Sequence, residues 1–123
     1  MYKINIAINS NDTLGEGPFW NIPDQTLWRV DIIEKKIYKW HPETNEIKEW
    51  LVPKQIGCFT PNKESSLGLV ALENGLFVLN LKTNELNLIH NPKENGNSNR
   101  FNDAKCDRNG NYWVGTMDKK ETS

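Results

Sequence analysis

Short apolar runs separated by polar turns make up almost the whole chain. Turn sequences such as PETN, LKTN and DRNGN lie between the runs. The runs are rich in leucine, β-branched and aromatic side chains, as is typical of strands, and they cover residues 27–33, 36–40, 46–52, 67–72, 75–81, 85–89 and 112–117. No window keeps a helical apolar period over three turns, so the pattern predicts an all-β fold.

The chain also contains an internal repeat. The segment KIYKWHPETNEIKEW (36–50) aligns with GLFVLNLKTNELNLI (75–89) at an offset of 39 residues, with a shared Thr-Asn-Glu sequence. A β-repeat of about 40 residues with four short strands is typical of a β-propeller blade. We therefore predict blade one at about 17–53, blade two at about 57–90 and a partial blade three from 101, which is about two and a half blades.

The blade interpretation gives specific structural expectations. Each blade should be a separate antiparallel four-stranded sheet whose innermost strand lines a central channel. The tryptophans should lie largely in the cores within or between blades; they are Trp20, Trp28, Trp40, Trp50 and Trp113. Because propellers close with roughly four to eight blades, we expect a truncated chain whose edges need further blades or self-association for cover. A small β-sandwich is the alternative.

Composition narrows the classes of function. The 123 residues include 15 basic and 16 acidic side chains without a long basic run, so we expect neither nucleic acid nor a membrane as partner. No signal-peptide pattern occurs, and no apolar stretch approaches the roughly 18 residues of a membrane span. Cys58 and Cys106 form no CxxC motif, which favours reduced thiols that fill the core. We expect a cytoplasmic protein.

The sequence LGEGPFW, residues 14–20, places a carboxylate between two glycines. Gly15 and Gly17 allow close approach of the backbone, Pro18 stiffens the chain, and Glu16 would lie just before the innermost strand of blade one. A carboxylate at the mouth of the channel suits a divalent cation, because hard cations prefer oxygen ligands. A solvated turn glutamate is the alternative from these seven residues alone.

A second polar cluster lies in NSNRFNDAKCD, residues 97–107. Arg100, Asn102 and Asp103 would lie at the start of the innermost strand of blade three, equivalent in position to Glu16. A guanidinium, an amide and a carboxylate suit a polyhydroxylated or carbonyl-bearing ligand. Residues 90–99 have no apolar side chain and predict a mobile loop over the same mouth. An Asn/Asp-rich turn is the alternative for the cluster.

Four motifs together resemble a known family. LGEGPFW, LWRVDI with Asp31, ALENGL (71–76) and NRFNDAKCDRNGNYWVGTM (99–117) are similar, in order and spacing, to the N-terminal part of the regucalcin, gluconolactonase and luciferin-regenerating enzyme family, also called the senescence marker protein 30 family. The resemblance covers almost the whole chain. It implies a six-bladed β-propeller with one divalent cation (Ca²⁺, Zn²⁺, Mn²⁺ or Mg²⁺) in its channel, and hydrolysis of sugar lactones.

The resemblance also implies roles for individual residues. Glu16 matches the metal-binding glutamate of the family, and Arg100 and Asn102 match residues that hold the substrate. Asp31 and Asp103 match recurrent positions that we interpret as supports behind the site or at strand ends.

One family position has no clean match. Some members have a substrate-contacting glutamate after GTM, where this chain has Lys120, with Glu121 one residue further. The remaining metal ligands, an asparagine and an aspartate that also serves as the base, come from later blades in the family. We therefore expect no catalytic base within these 123 residues.

Three classes of function follow from these observations. The first is a metal-dependent sugar lactonase, which the combination of Arg100 and Asn102 with Glu16 favours. The second is a calcium-binding regulatory protein of the regucalcin type, and the third is an inactive propeller fragment that acts as an interaction module. We expect the 123-residue chain alone to show no appreciable lactonase activity, because a single carboxylate cannot hold a dication tightly.

Overall fold

All regular structure in the described part of the chain is β-strand. The computed structural model describes residues 2–64, 66–91 and 99–121. The strands are β1 (Gly15–Asn21), β2 (Thr26–Asp31), β3 (Lys36–His41), β4 (Glu46–Leu51), β5 (Ile56–Pro61), β6 (Leu67–Leu72), β7 (Gly75–Asn80), β8 (Leu86–His90), β9 (Asn99–Cys106) and β10 (Tyr112–Asp118). Within the described ranges no helix could cross a membrane. The all-β prediction is confirmed.

The strands form three separate antiparallel meanders. The first sheet has the order β1-β2-β3-β4, the second has the order β5-β6-β7-β8, and β9 pairs with β10 in the third. Each strand pairs with its neighbour in sequence through a short hairpin, so residues 15–51 lie in one sheet and are not divided between two. This arrangement confirms two four-stranded blades and part of a third. The alternative, a small β-sandwich, is wrong. The blade limits given above remain a prediction.

The first two sheets share a buried core. Trp28 lies at its centre, 5.5 Å from the ring of Trp50 in the same sheet and 5.1 Å from the ring of Phe59 in the next. Val30 and Ile37 of the first sheet and Ile56, Val70, Leu72 and Leu79 of the second complete most of this cluster. The Trp50 indole N–H also donates to the Leu81 carbonyl oxygen at 2.8 Å, so a polar contact joins the two blades as well.

The prediction for the tryptophans is wrong at two positions. Trp28 is buried and Trp40 and Trp50 are half-buried, but Trp20 is 47% exposed and Trp113 is 68% exposed. Trp20 pairs with Leu27 on the face opposite to Trp28, and neither side chain belongs to the buried cluster around Trp28. Trp113 lies on the third sheet, and its indole N–H donates to Asp107 Oδ2 at 3.0 Å. Neither side chain is part of a hydrophobic core in the described ranges.

Each innermost strand contains a β-bulge. In β1, Glu16 pairs with Val30 and Phe19 with Trp28, so one extra residue lies at positions 17–18. In β5 the extra residue is Gly57. In β9 it lies at positions 102–103, between the pairs of Phe101 and Ala104. Bulges bend a strand and redirect its side chains, and they are frequent next to active sites.

Candidate functional site

The innermost strands of the three sheets lie side by side. Strand β5 contacts both β1 and β9, and Gly57 in the bulge of β5 lies against the backbone of Phe101 and Asn102 at the bulge of β9. Phe101 of β9 is buried against Cys58 and Ala71 of the second sheet. The candidate residues on β1 and β9 therefore project from strands that are packed on one common neighbour.

Arg100 and Asn102 contact each other at the bulge of β9. Arg100 Nη1 donates to the Phe101 carbonyl oxygen at 3.1 Å and lies 3.5 Å from Asn102 Oδ1. Arg100 is half-buried and Asn102 is exposed. A guanidinium has five N–H donors, and the amide directs its oxygen towards Arg100, so further N–H donors of both side chains remain for a ligand. The structure brings these two predicted residues together.

Asp103 lies beside this pair in the bulge. Its Oδ1 accepts a hydrogen bond from the backbone N–H of Ala104 at 2.8 Å, and the side chain is exposed. The bond fixes the carboxylate on its own strand and stabilises the local backbone. Its role towards a ligand remains a prediction.

Glu16 lies inside strand β1, which corrects the expectation that it precedes the strand. It occupies the position before the bulge, and Gly17 has a φ of 59° in the left-handed region that favours glycine. The Glu16 side chain is exposed and makes no hydrogen bond or ion pair to another described residue. Its carboxylate is therefore accessible, within the described ranges, to a cation or to water.

Asp31 supports the chain that leads into β1. Its buried carboxylate accepts hydrogen bonds from the backbone N–H groups of Thr13 at 2.7 Å, Leu14 at 3.1 Å and Glu34 at 3.2 Å. Burial by itself raises the pKa of this carboxyl, but the backbone donors outweigh it and hold the pKa below its ordinary value. Asp31 therefore anchors residues 13 and 14, directly before the segment that carries Glu16.

A hydroxyl group of the third sheet joins it to β5. Tyr112 Oη lies 3.2 Å from Thr60 Oγ1 and 3.5 Å from Cys58 Sγ. Burial raises the pKa of the Cys58 thiol to about 11, and it also raises the pKa of Tyr112. Both groups are neutral at pH 7, so Cys58 is a packed thiol and not a nucleophile, as its predicted core role requires. Cys106 is exposed on β9, so the predicted core role is wrong for that thiol.

The described residues do not form a complete metal site. Within residues 2–64, 66–91 and 99–121, no group of three His, Cys, Asp or Glu side chains lies close enough together to hold an ion. Glu16 provides the donor type that a hard cation prefers, but it is a single ligand. The role of Glu16 as a metal ligand therefore remains a prediction.

Two further predictions lie at the edge of what the structure describes. Glu121 is exposed in the turn after β10, and its N–H donates to the Asp118 carbonyl oxygen at 3.0 Å. Contact of Glu121 with a substrate remains a prediction. Most of the polar loop predicted at 90–99 falls on residues 92–98, which lie outside the described residues.

The sequence analysis did not predict the bulge at Gly57 or the hydrogen bonds that Tyr112 makes between the second and third sheets. An isolated glycine inside the strand sequence IGCFTP is a known signal for a bulge, and this signal could have identified Gly57. Tyr112 had no such signal, because its hydrogen bonds join residues more than 50 positions apart in sequence.

The chain is similar to one protein family and to several curated proteins. The family model described as SMP-30/Gluconolactonase/LRE-like region matches residues 14–123. Regucalcin of Xenopus laevis is 30% identical over 96% of this chain and 39% of its own length. The 6-deoxy-6-sulfogluconolactonase of Pseudomonas putida is 25% identical over 93% of this chain and 39% of its own length.

A solved structure has the same fold. The calcium-binding protein regucalcin from Agrobacterium tumefaciens superposes with a TM-score of 0.81 and 27% sequence identity, over 90% of this chain and 37% of that chain. The present chain thus spans about 39% of the length of the curated relatives that it matches.

Proposed function

Because the chain belongs to the SMP-30/gluconolactonase/LRE-like family, we propose that the full-length protein hydrolyses sugar lactones. The observation that carries this proposal is the Arg100–Asn102 pair on the bulge of the innermost strand β9. A relative named as a sulfogluconolactonase supports the same class of substrate.

The pair would position the substrate through hydrogen bonds. The Arg100 guanidinium and the Asn102 amide are donors, and a sugar lactone offers hydroxyl, ring and carbonyl oxygens as acceptors. Because Arg100 is held by the Phe101 carbonyl oxygen, its donors are ordered before a ligand arrives, which lowers the entropic cost of binding. Correct orientation of the lactone relative to the attacking water would then contribute to the rate.

Glu16 would contribute one oxygen ligand to a divalent cation. When bound, such an ion polarises an ester carbonyl and acidifies water. A relative described as a calcium-binding protein supports the proposal of a cation. With one candidate ligand in the described residues, the 123-residue chain alone is still expected to lack turnover and to bind divalent ions weakly.

Calcium-dependent regulation without turnover is the second candidate function. The regucalcin relatives favour it, whereas the Arg100–Asn102 pair favours a lactonase, since binding of a metal alone does not require these two donors. An interaction module is the third candidate, and the exposed faces of the sheets agree with it.

Kinetics of variants of the full-length protein test the proposal. With glucono-δ-lactone as substrate, Arg100→Ala and Asn102→Ala should each lower kcat/KM by about tenfold to a hundredfold, at unchanged metal affinity, because their contacts are to the sugar. Glu16→Gln should weaken the binding of Ca²⁺ or Zn²⁺ in isothermal titration, and excess metal should restore part of the activity. Glu43→Gln, in an exposed position outside the site, is the matched control.

The outcomes separate the three candidates. Tight binding of Ca²⁺ without turnover of any sugar lactone would support regulation and contradict the lactonase. Unchanged metal affinity in Glu16→Gln would make Glu16 a solvated residue of β1 without a role in metal binding. Loss of metal in Asn102→Ala would move that residue from the substrate to the metal.

A further inference from the structure

Gly57 is the extra residue of the bulge in the middle one of the three innermost strands. Ile56 pairs with Leu72 and Cys58 pairs with Ala71, so Gly57 has no partner of its own in the β5–β6 ladder. The bulge bends β5 at the place where it meets β9.

No side chain fits at Gly57. A Cβ added there would overlap the Phe101 carbonyl oxygen, and it would lie 2.5 Å from the Asn102 carbonyl oxygen and 2.6 Å from the Phe101 carbonyl carbon. These neighbours are backbone atoms of β9, which cannot move aside as the end of a flexible side chain can. An alanine would therefore require β5 and β9 to separate by roughly 1 Å to reach ordinary van der Waals contact.

The backbone that Gly57 meets is also the backbone that holds the candidate substrate residues. The Phe101 carbonyl oxygen accepts the hydrogen bond from Arg100 Nη1, and the same Nη1 lies near the Asn102 side chain. The Asn102 carbonyl belongs to the bulge itself. A shift of these two peptide units would therefore displace both Arg100 and Asn102.

We infer that Gly57 is a positioning residue for the substrate pair: the absence of a side chain there sets where β9 presents Arg100 and Asn102. The inference rests on the proposed lactonase function, but the spacing of the strands can be measured without it. Since a displacement of about 1 Å at a positioning group can cost about a hundredfold in rate, the effect on kinetics should be large.

Gly68 provides a matched control for loss of stability. It lies on β6 of the same sheet, and an added Cβ would overlap the Phe59 ring and lie 3.0 Å from the Thr60 carbonyl oxygen. Gly68→Ala therefore also introduces a clash in the second blade, but its three nearest atoms belong to β5 side chain and backbone and not to β9. A general loss of packing should affect both variants.

The experiment compares Gly57→Ala and Gly68→Ala with the wild type in the full-length protein, with glucono-δ-lactone as substrate. Gly57→Ala should lower kcat/KM by about tenfold to a hundredfold. Gly68→Ala should lower the melting temperature and leave kcat/KM within about twofold of the wild type, because the bulge of β9 is untouched. An equal fall of kcat/KM in both variants would overturn the inference.

Tyr112→Phe weakens a second contact between the same two sheets without adding an atom. It is the variant to use if Gly57→Ala does not fold. It removes the hydroxyl that meets Thr60 and Cys58, so kcat/KM should fall in the same direction but by less than in Gly57→Ala. A Tyr112→Phe protein with wild-type kcat/KM would contradict a role for the β5–β9 spacing.

Hydrogen exchange gives a readout that does not depend on activity. Gly57→Ala should accelerate amide exchange in residues 99–106, whereas Gly68→Ala should accelerate it only within the second blade. If the wild type hydrolyses no sugar lactone, the proposed function fails, and exchange in β9 still decides whether Gly57 positions this strand. Unchanged exchange in residues 99–106 of Gly57→Ala would overturn the inference.

Discussion

Asp31 shows how one buried carboxylate organises the approach to the site. It is 1% exposed, and its oxygens accept backbone N–H groups from residues 13, 14 and 34. Such donors stabilise the ionised form, and the lowered pKa follows from them despite the burial. The sequence suggested a support at this position from resemblance alone, since the chain gives no local sign that residues 17 and 18 positions away converge on it.

Substitution of Asp31 should cost stability in a pH-dependent way. Asp31→Asn replaces one acceptor oxygen by an amide group that faces N–H donors, so the full-length protein should lose about 1–3 kcal/mol of unfolding free energy at pH 7. The folded pKa lies below the unfolded value of 3.8, so the ionised form stabilises the fold above that value and the benefit is lost as the pH falls through the folded pKa.

Denaturant unfolding at several pH values checks this expectation. The difference between wild type and Asp31→Asn should be constant near neutral pH and shrink below about pH 4, with Glu43→Gln as an exposed control. A difference that is independent of pH down to pH 3 would show that the charge of Asp31 contributes nothing.

At the scale of single elements, the repeat is visible in its turns. Asn45 has a φ of 57° and Asn84 a φ of 62°, and each follows a threonine whose Oγ1 lies 3.3 Å from the N–H of the next glutamate. Asparagine tolerates the left-handed region better than other residues with a side chain. The Thr-Asn-Glu match in the sequence thus corresponds to one turn structure used in both blades.

Variants of Asn84 should separate backbone strain from side-chain contacts. Asn84→Ala and Asn84→Gly both remove the hydrogen bond from Nδ2 to the Leu51 carbonyl oxygen, but only alanine is strained at this φ. Asn84→Ala should therefore be less stable than Asn84→Gly by about 1 kcal/mol in urea unfolding of the full-length protein. Equal stability of the two variants would mean that the turn relaxes out of the left-handed region.

The outer strands could be predicted from sequence and the details of the inner ones could not. Seven strands have clear apolar runs, and their observed bounds lie close to the predicted ranges. In β1, β5 and β9 a bulge breaks the alternation, and glycine or polar residues replace part of the apolar pattern. The sequence predicted Glu16 just before β1 because the extra residue of the bulge interrupts the alternating pattern by which a strand is recognised.

The exposure of the tryptophans could not be predicted from the sequence, because it depends on which face of each sheet packs against another sheet. Trp20, Leu27, Trp40 and Ile47 lie opposite one another across the four strands of the first sheet, on the face away from Trp28. The sequence shows apolar side chains on both faces of this sheet, but it cannot show which face meets another sheet. The same limit applies to Trp113.

At the scale of the whole molecule, we propose that the chain provides inner strands and one carboxylate of a larger site. It covers 39% of the length of regucalcin from Xenopus laevis, and its described residues form no metal site by themselves. In our account β1 presents Glu16 to a cation and β9 presents Arg100 and Asn102 to a sugar, with β5 between them. The three bulges would direct these side chains towards the ligands, because a bulge bends its strand and redirects the side chains.

A crystal structure of the full-length protein with Mn²⁺ and gluconate, the product of glucono-δ-lactone hydrolysis, tests this claim most directly. We expect an anomalous Mn²⁺ peak at coordination distance from the Glu16 carboxylate, and gluconate oxygens within hydrogen-bond distance of Arg100 and Asn102. Gluconate bound away from β9, or Mn²⁺ bound away from Glu16, would contradict it.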